Sequence, residues 1–473
     1  MSAALIKRAN KSAAGSLLLV ALALVVPALF WPTAALAAGG DQLWVGRVSG
    51  PGGGAFGQAM AVSPNGNAVF VTGDVDSATE SADYLTAAFD AATGSVLWSS
   101  QFNGSVNGFD DAYAVAVSPD GTTVFVTGQS YSQTGNDYMT LAYDAATGHQ
   151  SWMAAYNGNG NDYAYSVAVS PDGTRVFVTG ESVGPSGSTD YATVAYASAS
   201  GQQLWVARYN DRGNGSDMGI SVAVTPDGTR VLVTGMAYIS SKNKGYVTMA
   251  YSASTGRRLW LSRYAFTGNG TNLPHSLAVS PDGATAFVTG QSHGPTSVSD
   301  YATVAYDVVS GHQLWVARYN GPGNGADVAF SVRVSPDGSR VFVTGEAVGT
   351  TLFNDYGTVA YDSATGQQLW VASYEGTGGV DDDSYSLAVS ADGLEVLVTG
   401  DSTGNGTNHD YATLAYDAQT GQQLWLARYD GSPYGDDAAC CLAVGPDLSK
   451  VFVTGHSTGS SGAYDMTTVA YQA

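Results

Sequence analysis

Cys440 and Cys441 are the only cysteines of the 473-residue chain, and they are adjacent. Neighbouring Cα atoms stand about 3.8 Å apart, below the usual disulfide range of about 4.4–6.8 Å. In a regular strand, consecutive side chains also face opposite ways. Two small buried thiols are one reading of the pair, and a redox or ligand-contacting role is the other. Carboxylates come next. Asp110, Asp162, Asp217, Asp327, Asp382 and Asp437 recur at one position, interrupted by Ala55 and Asn272. A ring of them around a channel mouth suits Ca²⁺, which takes oxygen ligands. A second series, Asp83, Asp137, Asp190, Asp300, Asp355, Asp410 and Asp465, is broken by Gly245. Holding backbone N–H groups in turns is the plainer duty for both series. Asn272-Leu273-Pro274-His275 replaces the usual Asp-x-x-aromatic, which places His275 in or near the channel. The Gly- and Asn-rich segments 157–162, 210–217 and 320–327 offer oxygens but lack EF-hand spacing. Lys242 and Lys244 read as a solvated hairpin tip. No G-x-S-x-G elbow, H-E-x-x-H pair or phosphate-binding glycine loop occurs.

These residues are positioned by a repeat. Trp44, Trp98, Trp152, Trp205, Trp260, Trp315, Trp370 and Trp425 recur at a near-constant interval. A Val-Thr-Gly triplet ending at Gly73, Gly128, Gly180, Gly235, Gly290, Gly345, Gly400 and Gly455 keeps the same beat. Within one repeat, 164–170, 175–180, 191–196 and 203–209 are short β-branched and aromatic runs separated by turn residues such as Pro171-Asp172-Gly173. Four strands per repeat and no helical period predict an all-β, eight-bladed β-propeller with four-stranded antiparallel blades. One Trp per repeat is expected to wedge neighbouring blades together. The last repeat stops at Ala470-Tyr-Gln-Ala473, and the segment from Asp41 to Val48 holds the Leu-Trp it lacks. The N-terminal strand is therefore expected to complete the last blade and close the ring.

Ala142-Tyr-Asp144-Ala-Ala-Thr147-Gly148-His-Gln-Ser-Trp152, repeated at 88–98, 360–370 and 415–425, resembles the tryptophan-docking motif of quinoprotein-like propellers with pyrroloquinoline-quinone (PQQ) repeats. The copy at 305–315 has Ser310 for Thr, and Ala197 and Ser252 replace the Asp in two more. The V-S-P-D-G-T-R-V-F-V-T-G stretches are similar to YVTN- and WD40-type turns. Some relatives of this kind are dehydrogenases, with eight blades, Ca²⁺ and adjacent cysteines beside the quinone. The resemblance thus implies PQQ and Ca²⁺ as candidate cofactors, with Cys440 and Cys441 near them. In those enzymes the pair lies early in the chain and long insertions build the site. Here the pair is in the final repeat, and the repeats carry almost no insertions.

Residues 1–37 read as a signal peptide: Lys7, Arg8 and Lys11, an apolar run from Leu17 to Phe30, then Ala35-Leu36-Ala37. The propeller is expected over 38–473. The net charge is −22, and −25 without the leader, which disfavours nucleic acid. The expectation is a secreted monomer with no membrane span. It would be a non-catalytic binding or scaffolding module that uses the channel mouth or a loop face to hold a protein or glycan. The alternative is a PQQ- and calcium-dependent dehydrogenase acting on a small alcohol or sugar. A third reading is a sugar-processing or lactone-cleaving propeller.

Overall fold

The computed structural model describes residues 39–473 apart from 78–80, 186, 212–214, 241–242, 267–269, 295–297, 405–407 and 432–434. The leader 1–37 and Lys242 lie outside the described residues. Thirty-two strands form eight four-stranded antiparallel sheets, the blades of the expected propeller. Blade three shows the pattern, with β10 (Asp162–Val169), β11 (Arg175–Val183), β12 (Thr189–Ala197) and β13 (Gln203–Tyr209) paired in chain order. Blade eight joins β30 (Asp437–Val444), β31 (Lys450–Thr458) and β32 (Tyr464–Gln472) to β1 (Gln42–Ser49). Gly40 N–H donates to the Gln472 carbonyl at 2.8 Å, and the N-terminal strand closes the ring.

The Val-Thr-Gly triplet has a physical cause at each position. Val178 is fully buried, and Thr179 shares a 3.0 Å hydrogen bond with Thr193 of the next strand, a pair found in every blade. Gly180 is required by close approach: a Cβ there would lie 1.9 Å from the Tyr163 carbonyl oxygen. That carbonyl is pushed inward by a β-bulge between Ala164 and Ser166, and every innermost strand has a bulge at the same place.

Blades are fastened to one another by three repeated contacts. Trp205 packs against Phe177 and Tyr251, and its indole N–H donates to the Ala253 carbonyl of blade four at 3.0 Å. Six more tryptophans, from Trp44 to Trp370, make the same bond at 2.7–3.2 Å. The ring face rests on the glycine of the next Thr-Gly. At Gly256, with φ of +69°, a Cβ would meet the Trp205 ring at 2.6 Å. Trp425 instead meets Gly39 and Gly40 from the chain's beginning. Burying one such ring is worth about 4–6 kcal/mol at ~25 cal/mol per Å². Tyrosines of the third strand add a second staple: Tyr191 O–H donates to the Val247 carbonyl of the following blade at 3.1 Å. Arg208, Arg318, Arg428 and Arg47 supply the third, each bridging an Asp of its own blade (Asp190, Asp300, Asp410, Asp465) and a Tyr hydroxyl of the preceding one. The second Asp series is thus partly accounted for by structural ion pairs.

Candidate functional site at the channel mouth

The innermost strands touch in a closed ring and line the central channel. The bulge residues form one tier of its wall: Gln58, Tyr113, Tyr165, Ile220, His275, Phe330, Tyr385 and Cys440. A bulge residue is unpaired and leans out of the ladder, so this is the place in each blade where a side chain is free to meet a ligand. Aromatic neighbours pack around the tier, with ring centres 6.0 Å apart for Tyr113–Tyr165, 5.1 Å for His275–Phe330 and 5.5 Å for Phe330–Tyr385. His275 thus stands in the channel wall, and burial lowers its pKa to about 4, which keeps it neutral. The bulge also changes the cysteine geometry. Cys440 is the extra residue and escapes strict alternation, and the sulfurs of Cys440 and Cys441 are joined in a disulfide. The expectation of two separate buried thiols is corrected by that local break in the strand.

The first Asp series takes a different place from the expected ring at the mouth. Asp110, Asp162, Asp217, Asp327, Asp382 and Asp437 are at most 1% exposed. In each, one oxygen accepts the N–H of the loop entering the blade and the other an N–H at the end of the second strand, at 2.5–3.1 Å. These carboxylates hold the loops, and a calcium ion there would have to displace those bonds. Burial raises Asp217 and Asp327 to about 6 despite the bonds. Asn272 serves the same loop position: it accepts from Ser292 Oγ at 2.6 Å and donates to the Lys244 carbonyl at 2.8 Å. Among the described residues one group of three potential metal ligands occurs, Asp410, Asp430 and Asp437, with ligand atoms within 4.8 Å of one another.

The mouth is nevertheless acidic, through residues the repeat pattern passes over. The residue after each Val-Thr-Gly varies from blade to blade: Asp74, Gln129, Glu181, Met236, Gln291, Glu346, Asp401 and His456. Its variability in an otherwise regular array was the available signal. Glu346 faces Asp383, and Asn354 Nδ2 donates to both at 3.2 and 3.1 Å. Burial, then the hydrogen bond and charge of Asp383, push Glu346 up to about 8, which favours its protonated form near neutrality. Across the ring, burial and Asp111 lift Asp74 to about 6. Tyr165 O–H donates to Glu181 at 2.7 Å. Asp401 lies 2.8 Å from His409 Nδ1, and burial raises its pKa.

At the seam of blades seven, eight and one, a cavity of about 510 Å³ opens beside Cys440. Phe56, Tyr385, Asp401, His409, His456 and Tyr464 are among its walls. His456 packs edge-on to Tyr464 with ring centres 4.9 Å apart, and Phe56 lies 5.3 Å from both rings. The result is a concave site with flat apolar faces and a few convergent polar groups, able to stack a ring and accept its hydroxyl or ammonium hydrogens.

The sequence profile described as outer membrane protein assembly factor BamB matches residues 33–299 and 243–468. No curated protein matches the chain. Among solved structures, BamB from Moraxella catarrhalis is 15% identical with a TM-score of 0.50, covering 92% of this chain and 99% of its own. A quinohemoprotein alcohol dehydrogenase from Comamonas testosteroni is 12% identical with a TM-score of 0.58, covering 91% and 76%. Sqt1 from Chaetomium thermophilum is 14% identical with a TM-score of 0.59, covering 92% and 99%. At these identities the structural likenesses speak for the fold alone, whereas the profile spans most of the chain. The chain belongs to the PQQ-like β-propeller family described as outer membrane protein assembly factor BamB.

Proposed function

We propose that this is an exported binding or scaffolding propeller that holds a protein or glycan from the envelope or exterior at the channel mouth. The observation that carries the reading is the cavity at Cys440, whose aromatic and acidic walls offer stacking and hydrogen-bond acceptance. Short inter-blade connections agree with it: among the described residues no inserted element roofs the mouth into a water-excluding pocket. Export rests on the leader-like composition of residues 1–37. The test is capture from envelope extracts and purified cell-surface glycans by the mature protein and by Tyr385→Ala and His456→Ala. Partners retained by the parent and lost by both variants support the reading; equal retention by all three overturns it. N-terminal sequencing of the exported chain is expected to begin at Ala38.

The disulfide beside the cavity favours one further reading, the PQQ- and calcium-dependent dehydrogenase. PQQ is a tricarboxylate, and among the described residues the cavity walls carry Asp401 and Asp436 but no Lys or Arg. The residues present therefore do not fit the quinone's charge. Quinone absorbance co-eluting with the protein and Ca²⁺ on gel filtration, with dye reduction, would put the enzyme first.

A further inference from the structure

One residue breaks the channel wall near its other end. The second-last residue of every innermost strand pairs with a large apolar residue of the second strand, as Ala278 does with Phe287 and Ala388 with Leu397. In seven blades this residue is alanine, from Ala61 and Ala116 round to Ala443. In blade six it is Arg333, paired with Phe342 on the strand Val328–Val334. Its side chain is exposed, yet surrounding protein lowers its pKa by desolvation. Both hold for a cation in a channel: water enters, but the walls keep bulk solvent away.

Arg333 also differs in its partners from the five arginines that pair with aspartates within and between the blades. Arg47, Arg208, Arg263, Arg318 and Arg428 are each paired with an aspartate at 2.7–3.2 Å. Arg333 has no carboxylate partner among the described residues, and its Nη1 donates to the Val332 carbonyl at 2.8 Å. The remaining guanidinium donors are left for a ligand. The equivalent position of the other seven blades is alanine, which offers neither a competing acceptor nor a counter-charge. A partly desolvated cation without a counter-ion is costly, and an oxyanion satisfies it with two parallel N–H···O bonds.

We infer that the central channel holds a compact oxyanion, a carboxylate or phosphate group, on the guanidinium of Arg333. The site lies on the same innermost strand as Phe330 of the aromatic tier, but nearer the opposite end, so it is separate from the mouth cavity. The protein's net charge of −22 makes this binding local, short-ranged and sensitive to ionic strength.

Thermal melts of the mature protein, Arg333→Ala and Arg333→Lys are compared in inorganic phosphate and in succinate, at ionic strength held constant with sodium chloride. The parent is expected to rise by roughly 3 °C at a hundredfold excess over Kd. Arg333→Ala gives the blade the residue of the other seven, so it should fold, melt no lower than the parent without the anion, and lose the rise. Arg333→Lys should keep a reduced rise. Should Arg333→Ala fail to fold, Arg333→Gln makes the same comparison. A rise with phosphate alone or succinate alone supports the site and names its ligand class. Equal rises in parent and Arg333→Ala, or none in the parent with either anion, overturn it.

Discussion

Glu346 and His275 place opposite pH demands on the ring. The folded state raises Glu346 to about 8, so it binds more protons than the unfolded chain between that value and the ordinary carboxylate range. Stability from this group is complete at low pH and is lost as pH rises through about 8. Glu346→Gln, which mimics the protonated acid, should flatten the fall in Tm between about pH 4.5 and 8, the window those two values set. Burial takes His275 the other way, to about 4, so the folded state binds fewer protons than the unfolded chain up to the ordinary histidine range. Its contribution is lost as pH falls toward 4, and His275→Phe should lessen the acid-side drop in Tm. An unchanged pH profile in either variant would remove that group from the account.

Between blades, the repeated contacts make larger predictions. Trp205→Ala should cost about 3–5 kcal/mol, as removal of a large buried aromatic does. Gly256→Ala forces both a left-handed φ of +69° and a collision with the same ring, so it attacks the same contact from the other blade. Because the two variants share a partner, their denaturation free energies should combine to less than their sum. The Asp clamps are tested by Asp382→Asn, expected to lose about 1.5–3 kcal/mol with its charged hydrogen bonds. Melts with and without added Ca²⁺ separate the duties: a loop clamp loses the same amount in both, whereas a calcium ligand loses more when the ion is present.

For the whole molecule, closure decides integrity. Without residues 41–48, β32 would present an unpaired edge and Trp44 would no longer dock on blade one. The deletion is expected to lower Tm by many degrees and to form oligomers on gel filtration, since an open edge templates pairing with another chain. A monomeric deletion variant with unchanged melting would refute strand-supplied closure.

Trp205, the Val-Thr-Gly triplet and the truncated last repeat were legible in the sequence because each contact recurs in blade after blade. A fixed period alone points to stacked four-stranded units, and the Leu-Trp that the last unit lacks is supplied by Gln42–Val48. His275 was readable as a departure from its column. The rest depended on which side chains the ring brings together. Asp110 and its equivalents look like surface ligands in sequence, but the loops fold over them and use both oxygens. Cys440 and Cys441 seemed to diverge until the bulge let both side chains meet. Glu346 and Asp383 lie 37 positions apart on neighbouring blades, and Arg333 means little until seven alanines stand beside it in one collar. Local propensity and period determined the blade and the number of blades. The curvature of the closed ring decided the chemistry of the channel, because proximity between residues of different blades exists only after closure.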